Sequence, residues 1–237
     1  MVPSKEQLFK NIDLVKEKIK ESCLKSGRGE DCVKLVGVTK TKPVQLLKWA
    51  CEYNLCTFGE NRVQEFLKKW EELKEHPIEW HFIGYLQTNK VKYIVDKVAL
   101  IHSVDRPSLV DELQKRVSKK GIKELPILVE VNIGGEETKA GVEPEKAEEL
   151  LEYILKKAPN LKLEGLMTVP PYREDLEEVR PYFRKLRELK NQLEERLGIN
   201  LPHLSMGMSH DFTVAIEEGA TIVRIGSAIF GPRDYQK

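Results

Sequence analysis

The sequence is poor in the features that mark membrane, secreted and strongly charged proteins. No stretch approaches the roughly 18 uninterrupted apolar residues of a membrane span, and the amino terminus has neither an apolar core nor a small-residue cleavage site, so we expect no signal peptide. The 39 Lys and Arg residues and 38 Asp and Glu residues leave a net charge of +1. This argues against a general affinity for nucleic acid or an anionic membrane, and any bound anion needs a local site.

Cysteine is also scarce. The four cysteines form no C-x-x-C pair, and no nearby group of histidines suggests zinc. They are Cys23, Cys32, Cys51 and Cys56. Because disulfides are rare in the cytosol, we interpret them as reduced thiols of a cytoplasmic protein without a metal site.

The remaining composition is that of a globular protein. Hydrophobic residues make up 41% and charged residues 32% of the 237 positions, enough for a sizeable core. No linker, repeat or low-complexity segment interrupts the chain. We therefore expect one domain over residues 1–237.

Short β-rich apolar runs alternate with longer amphipathic segments. The predicted strands are residues 34–39, 56–60, 80–84, 99–104, 127–132, 163–169, 203–207 and 221–226. The predicted helices are residues 4–26, 44–53, 62–74, 89–96, 108–120, 144–157, 179–197 and 212–218. Such alternation indicates parallel pairing through right-handed crossovers, and eight strands fit a single (β/α)8, or TIM, barrel.

The two chain ends suggest how this barrel is completed. The last predicted strand is followed only by SAIFGPRDYQK, which is too short for a full closing helix. The amphipathic N-terminal helix is expected to take its place. A doubly wound open sheet is the rival fold, but it usually has fewer strands and often a Gly-rich first turn, and G-x-G-x-x-G does not occur.

Function in such a barrel lies at the carboxyl ends of the strands. The first strand runs into Lys40, within KLVGVTKTKPV. Most lysines at a strand end are simply solvated, but a lysine in a barrel mouth offers an amine that can attack a carbonyl. The seventh strand leads to Ser209 in SMGMSHD, and the eighth to Gly226 and Ser227 in VRIGSAIFG. Either loop alone fits an ordinary tight turn, whereas the two together favour a phosphate site.

A lysine beside a phosphate site leaves two chemistries open. One is a Schiff-base aldolase acting on a sugar phosphate, and the other is pyridoxal 5'-phosphate (PLP) bound to the lysine. Arg224 precedes Gly226 by two positions, so its side chain shares the inward face. It fits either a contact with the pyridine nitrogen of PLP or an ion pair with a carboxylate in the mouth.

Six motifs in register resemble one known family. VGVTKTKP, FGENRVQE, WHFIGYLQTNK, VNIGGEETKAG, SMGMSHD and VRIGSAIFG follow one another from about residue 33 to the C terminus. Together they resemble the YggS/PROSC family of PLP-binding or PLP homeostasis proteins. The resemblance implies a single barrel similar to the N-terminal domain of alanine racemase.

The resemblance also implies a set of cofactor contacts. Lys40 would carry PLP as an internal aldimine, and Ser209, Gly226 and Ser227 would hold its phosphate. The family more often has threonine at the last of these positions, and serine keeps the hydroxyl. Arg224 would contact the ring nitrogen and keep it unprotonated, which weakens PLP as an electron sink.

Two further residues follow from the same resemblance. It places Asn61 beside the cofactor. For Lys139 it offers a position near the phenolate oxygen or a role as a second cofactor-handling amine, beside the simpler interpretation of a surface lysine.

Racemisation of an amino acid needs a base on each face of the substrate. In alanine racemase the second base is a tyrosine from a C-terminal β-domain of the partner subunit, which we do not expect here because the sequence ends six residues after Gly231. Tyr85, Tyr172 and Tyr235 carry no motif of a catalytic base. We therefore expect a PLP-binding regulator or carrier with no established catalytic residues.

The alternatives are a low-activity, PLP-dependent amino-acid racemase and, more weakly, a Schiff-base aldolase. The expected partners are PLP itself and PLP-dependent apoenzymes or amino acids. Neither nucleic acid nor a membrane is expected among them.

Overall fold

A computed structural model describes residues 2–136 and 140–232, and in this part of the chain eight parallel strands close into a barrel in chain order. The strands are β1 (Lys34–Val38), β2 (Thr57–Glu60), β3 (Glu79–Phe82), β4 (Leu100–Val104), β5 (Leu125–Glu130), β6 (Leu161–Met167), β7 (His203–Ser205) and β8 (Ile222–Ile225). The helices are α1 (Lys5–Lys25), α2 (Val44–Glu52), α3 (Val63–Leu73), α4 (Pro107–Lys119), α5 (Ala147–Lys157), α6 (Leu176–Leu197), α7 (Phe212–Glu217) and α8 (Ser227–Phe230). The predicted barrel is confirmed.

One predicted helix has a different form. Residues 89–96 were expected to be α-helical, but the structure has a 3-10 helix over Thr88–Tyr93. Val91, Ile94 and Val95 are still buried, so the pattern predicted the packed face correctly. The hydrogen-bond type of so short a segment is weakly determined by its sequence.

The closure of the barrel brings its first and last strands together. β8 pairs with β1 from Ile222 opposite Lys34 to Ile225 opposite Gly37. Outside this seam α1 packs against α7, α8 and α2, and Asn11 donates a hydrogen bond to the carbonyl of Ile229 at 2.9 Å. The N-terminal helix therefore covers the gap beside the four-residue α8, as predicted.

Strand alternation separates two layers of side chains. Outward residues such as Phe58 and Ile225 fill the large core between strands and helices. The inward apolar cluster is small and consists of Val36, Leu100, Leu128, Met167 and Ile222. The remaining inward positions include buried polar side chains, namely His81, His102, Glu130, Ser205 and Arg224. Among the described residues, no helix is long and apolar enough to cross a membrane.

A bulge in β6 requires a glycine. β5 pairs Ile127 with Leu163 but Leu128 with Gly165, so Glu164 is the extra residue. At Gly165 φ is +155°, and a Cβ would lie 1.9 Å from the carbonyl oxygen of His203 on β7. Any side chain there would force β6 away from β7.

We expect Gly165→Ala to lower the free energy of unfolding by about 4 kcal/mol or more, because the methyl group collides with backbone rather than with a flexible side chain. Urea denaturation followed by circular dichroism measures this. Gly29→Ala is the matched control, since its added Cβ meets nothing within 4 Å. Equal denaturation midpoints for the two variants would contradict the steric account.

Candidate functional site

Lys40 lies in the barrel mouth, two residues after the end of β1. Its side chain is half-buried, and the following residue, Thr41, has a φ of +63°. The pairing of β1 with β8 places this turn beside Gly226, where a Cβ would lie 3.2 Å from the carbonyl oxygen of Val38. The predicted anchor and the predicted phosphate loop are thus neighbours.

A buried ion pair between Lys69 and Glu60 fixes the backbone just before Lys40. Lys69, on α3, donates to the carbonyl of Thr39 at 2.6 Å and to the carboxylate of Glu60 at 2.7 Å. The hydroxyl of Thr39 donates to the same Glu60 oxygen at 2.5 Å. Burial raises the pKa of Glu60, although the charge of Lys69 opposes this shift. This cluster fixes Thr39 against β2.

Another residue of α3 fixes the backbone just after Lys40. Glu65 accepts a hydrogen bond from the backbone N–H of Thr41 at 2.5 Å and another from Lys69 at 2.7 Å. Thr41 has a positive φ that non-glycine residues rarely adopt. The turn that carries Lys40 is therefore fixed on both sides by two residues of α3.

The loops after β7 and β8 meet at one hydroxyl. The Oγ of Ser209 accepts hydrogen bonds from the backbone N–H groups of Gly226 and Ala228, each at 3.2 Å. The carboxylate of Asp211 accepts from the N–H of Met208 at 2.7 Å and so fixes the loop before Ser209.

The third predicted phosphate residue lies at the same place. Ser227 follows Gly226 directly and is exposed, whereas Ser209 and Gly226 are half-buried. The structure thus brings all three residues together. Backbone amides, two hydroxyls and a glycine without a side chain therefore meet at this end of the barrel, and groups of this kind can bind an anion.

Arg224 lies inside the barrel below these loops, as alternation predicted, and only 4% of it is exposed. Its guanidinium donates to the Oγ of Ser205 at 2.6 Å and to the carbonyl of Thr168 at 2.8 Å. Burial lowers the pKa of Arg224 to about 10, while the charges of Glu130 and Asp211 oppose the shift. The guanidinium therefore stays protonated at neutral pH.

Glu130 belongs to the candidate site by its position and was not predicted from the sequence. It ends β5, faces inward and is 7% exposed. Burial, helped by the charge of Asp105, raises the pKa of Glu130 to about 7, and the charge of Arg224 opposes the rise. The signal was present in the sequence, since Glu130 lies two residues after the inward Leu128 in an otherwise apolar strand.

Asn61 lies in the bend after β2 at the rim of the mouth. Its Oδ1 atom is buried and has no hydrogen-bond partner within the described ranges. Gly84 presses against it, since a Cβ there would lie 2.3 Å from the carbonyl oxygen of Asn61. An unpartnered polar atom held by close packing indicates a position at which a ligand could contact the protein.

Two predictions fall outside the description. Lys139 and Tyr235 are among the residues that the structure does not describe. Two surface clefts are formed by described residues. One, of about 590 Å³, is lined among the described residues by parts of Asn132, Glu143 and Lys185, and the other, of about 160 Å³, is lined by Asn61, Arg62 and Tyr85. Neither cleft is lined by Lys40 or Gly226.

Comparison with known proteins assigns the chain to a family. The family described as "Alanine racemase, N-terminal domain" matches residues 7–234 of this chain. A pyridoxal phosphate homeostasis protein of Aquifex aeolicus is 59% identical over 224 residues, which cover 94% of this chain and 97% of that protein.

Solved structures show the same fold. PipY of Synechococcus elongatus, determined with PLP bound, is 29% identical, with a TM-score of 0.82 over 94% of this chain and 100% of PipY. An alanine racemase of Clostridium difficile, 15% identical, shares the fold with a TM-score of 0.72 over 98% of this chain and 58% of the racemase. The chain therefore belongs to the alanine racemase N-terminal domain family and, within it, to the pyridoxal phosphate homeostasis proteins.

Proposed function

We propose that this chain binds PLP in the barrel mouth and serves in intracellular PLP homeostasis as a carrier or regulator. One observation carries the proposal: a half-buried strand-end lysine, an anion cradle of amides and hydroxyls, and a buried guanidinium converge at one end of one barrel. The PLP homeostasis proteins among its relatives and the PLP-bound PipY support it.

The residues at the mouth fit the cofactor. Lys40 would hold it covalently through Nζ, while Ser209, Gly226 and Ser227 would hold its phosphate and Asn61 would lie beside it. The fit rests on the glycine and amides around the Ser209 hydroxyl and on the unpartnered Oδ1 of Asn61. When bound, PLP supplies an electron sink for reactions at the α-carbon of amino acids.

A contact between Arg224 and the ring nitrogen would favour binding of the cofactor without strong catalysis. A guanidinium has only N–H donors and stays charged at neutral pH, so it leaves a facing ring nitrogen unprotonated. An unprotonated ring is a weaker electron sink. Ser205 and Thr168 orient this donor from inside the barrel.

The proposal extends to partners and location. PLP-dependent apoenzymes are the proposed recipients of the cofactor, and amino acids are the proposed small-molecule ligands. The four cysteines are free, which supports a place in the reducing cytoplasm.

We expect Lys40→Ala to abolish the visible absorbance of the PLP-loaded protein and its fixation by borohydride, because no amine then remains at that position. Mass spectrometry of the reduced wild-type protein should locate the cofactor on the peptide that contains Lys40. Lys42→Ala is the matched control from the same motif. It loses a hydrogen bond from Lys42 to the carbonyl of Pro232 and should keep the colour. Colour that survives in Lys40→Ala would mean that another amine is the anchor.

The carrier role predicts no turnover. PLP-loaded protein incubated with single L-amino acids in deuterated water should show no α-proton exchange above that of Lys40→Ala, because Arg224 keeps the electron sink weak. Proton NMR of the amino acids measures this. Sustained exchange with formation of the D-isomer would establish the racemase alternative instead.

The charge of the mouth is tested by Glu130→Gln, which mimics the protonated acid. The folded-state pKa of about 7 lies above the ordinary value of 4.5, so the proton on Glu130 stabilises the fold at low pH and this contribution is lost as the pH rises through about 7. Relative to wild type, Glu130→Gln should gain stability as the pH rises from about 4.5 to about 7, and the gain, up to about 3 kcal/mol, should then stay level at higher pH.

Denaturant unfolding between about pH 5 and about pH 9 measures this difference. Glu152→Gln, at an exposed position on α5, should follow the wild-type profile. A gap between Glu130→Gln and wild type that stays constant over this range would show that Glu130 does not titrate near neutrality.

A further inference from the structure

A continuous line of polar side chains crosses the inside of the barrel. The carboxylate of Glu79 lies 2.9 Å from Nε2 of His81, whose Nδ1 lies 2.8 Å from Nε2 of His102. Nδ1 of His102 lies 2.8 Å from the Oγ of Ser205, which accepts from Arg224 at 2.6 Å. The line joins β3, β4, β7 and β8 and runs from the amino-terminal end of β3 to the guanidinium below the mouth.

All members of the line except the first are shielded from water. The side chain of Glu79 is 40% exposed. In contrast, His81, His102, Ser205 and Arg224 are at most 4% exposed. Each buried polar group must therefore find its partners within the barrel, and a missing partner is costly.

The protons along this line can take only one order when both rings are neutral. The pKa of Glu79 is lowered to about 2, chiefly by its hydrogen bond with His81, so its carboxylate only accepts. His81 must then carry its proton on Nε2 and accept at Nδ1. His102 must likewise donate from Nε2 and accept at Nδ1. Its Nδ1 accepts the single hydroxyl proton of Ser205.

The opposite end of the line requires the same order. Arg224 can only donate, so the Ser205 oxygen must accept from it. That oxygen then still has its own proton to give to His102. An order deduced from the acid at one face therefore agrees with the cation at the other, and every hydrogen bond in the line has one donor and one acceptor.

The surroundings keep the two rings neutral. Burial lowers the pKa of His81 and of His102. The charged or titratable groups that act on them from the packed strands are Lys34 on β1, Glu79 on β3, His203 on β7 and Arg224 on β8. Glu164 on β6 acts on His203 rather than on these two rings. Of these groups, only Glu79 is in direct contact as an acid that favours a charged ring.

An added proton would have to disturb several groups at once. A doubly protonated His81 would aim an N–H at the N–H of His102. His102 would have to move its proton to Nδ1, and the Ser205 oxygen would then receive two donors. The hydroxyl proton of Ser205 would be left without its partner. The direction of the hydrogen bonds along the line is therefore costly to reverse.

We propose that His81, His102 and Ser205 are positioning residues that hold the Arg224 guanidinium through this ordered line, anchored at Glu79. The order of protons is a property of the chain alone. Its consequence, a fixed orientation of the Arg224 donors toward the cofactor ring, rests on the proposed function.

Nitrogen NMR of the full-length protein with 15N-labelled histidine, without added PLP, tests the order directly. Protonated and bare ring nitrogens differ widely in chemical shift. His81 and His102 should both show a proton on Nε2 and a bare Nδ1 at neutral pH, and should keep this form well below the ordinary histidine pKa. A proton on Nδ1 of either ring, or an ordinary titration of either ring, would overturn the proposal.

Two serine variants test the connection. Ser205→Ala removes the donor to His102 and should shift the Nδ1 resonance of His102 and, through it, that of His81. Ser103→Ala is the matched control, because Ser103 is equally buried on β4 and its hydroxyl has no hydrogen-bond partner among the described residues. Equal shifts in the two variants would refute the line. If Ser205→Ala fails to fold, the wild-type measurement still decides the order.

The PLP-loaded protein then tests the consequence. The visible absorbance of bound PLP should change its pH profile in Ser205→Ala and not in Ser103→Ala, and identical profiles would overturn the positioning role. If wild-type protein shows the stated proton order but binds no PLP, the proposed function fails and the line stands. If PLP binds at Lys40 and the rings carry another order, the line fails alone.

Discussion

β8 pairs with β1 over four register positions, and this pairing closes the sheet on itself. It brings Gly226, the first residue of the loop after β8, close to the carbonyl of Val38, two residues before Lys40. The amine of Lys40 and the loop of Gly226 and Ser227 then share one mouth. Without closure these groups would lie at opposite edges of an open sheet, so the seam that α1 covers is also the condition for the site.

The inside of this barrel is more polar than its outer core. A buried charge is tolerated only when its desolvation is offset by hydrogen bonds and opposite charge. Arg224 meets this requirement with Ser205, the Thr168 carbonyl and the nearby Glu130. The polar interior places a charge-bearing group directly beneath a mouth that otherwise consists of loops.

Much of this arrangement could be predicted from sequence because its signals are local. Alternating patterns located all eight strands of the described chain, and strand alternation predicted the inward direction of Arg224. Alternation also gave the inward direction of Glu130, but the contacts of Glu130 and His102 could not be predicted in this way. Their environments depend on which strands face them across the barrel. Barrel closure and strand register decide which strands these are, and neither can be deduced from the neighbouring residues in sequence. The 3-10 form of Thr88–Tyr93 was not predicted for a different reason. A short α-helix and a short 3-10 helix show a similar apolar stripe in the sequence.

The contacts of Lys69 couple the outer helix α3 to the turn that carries Lys40. Its ammonium joins the outer helix α3 to the carbonyl just before Lys40, and its neighbour Glu65 joins the same helix to the amide just after. The segment between them cannot shift unless α3 shifts as well. A substitution on the outer layer of the barrel that moves α3 would therefore also move Lys40, although the substituted residue need not contact the mouth.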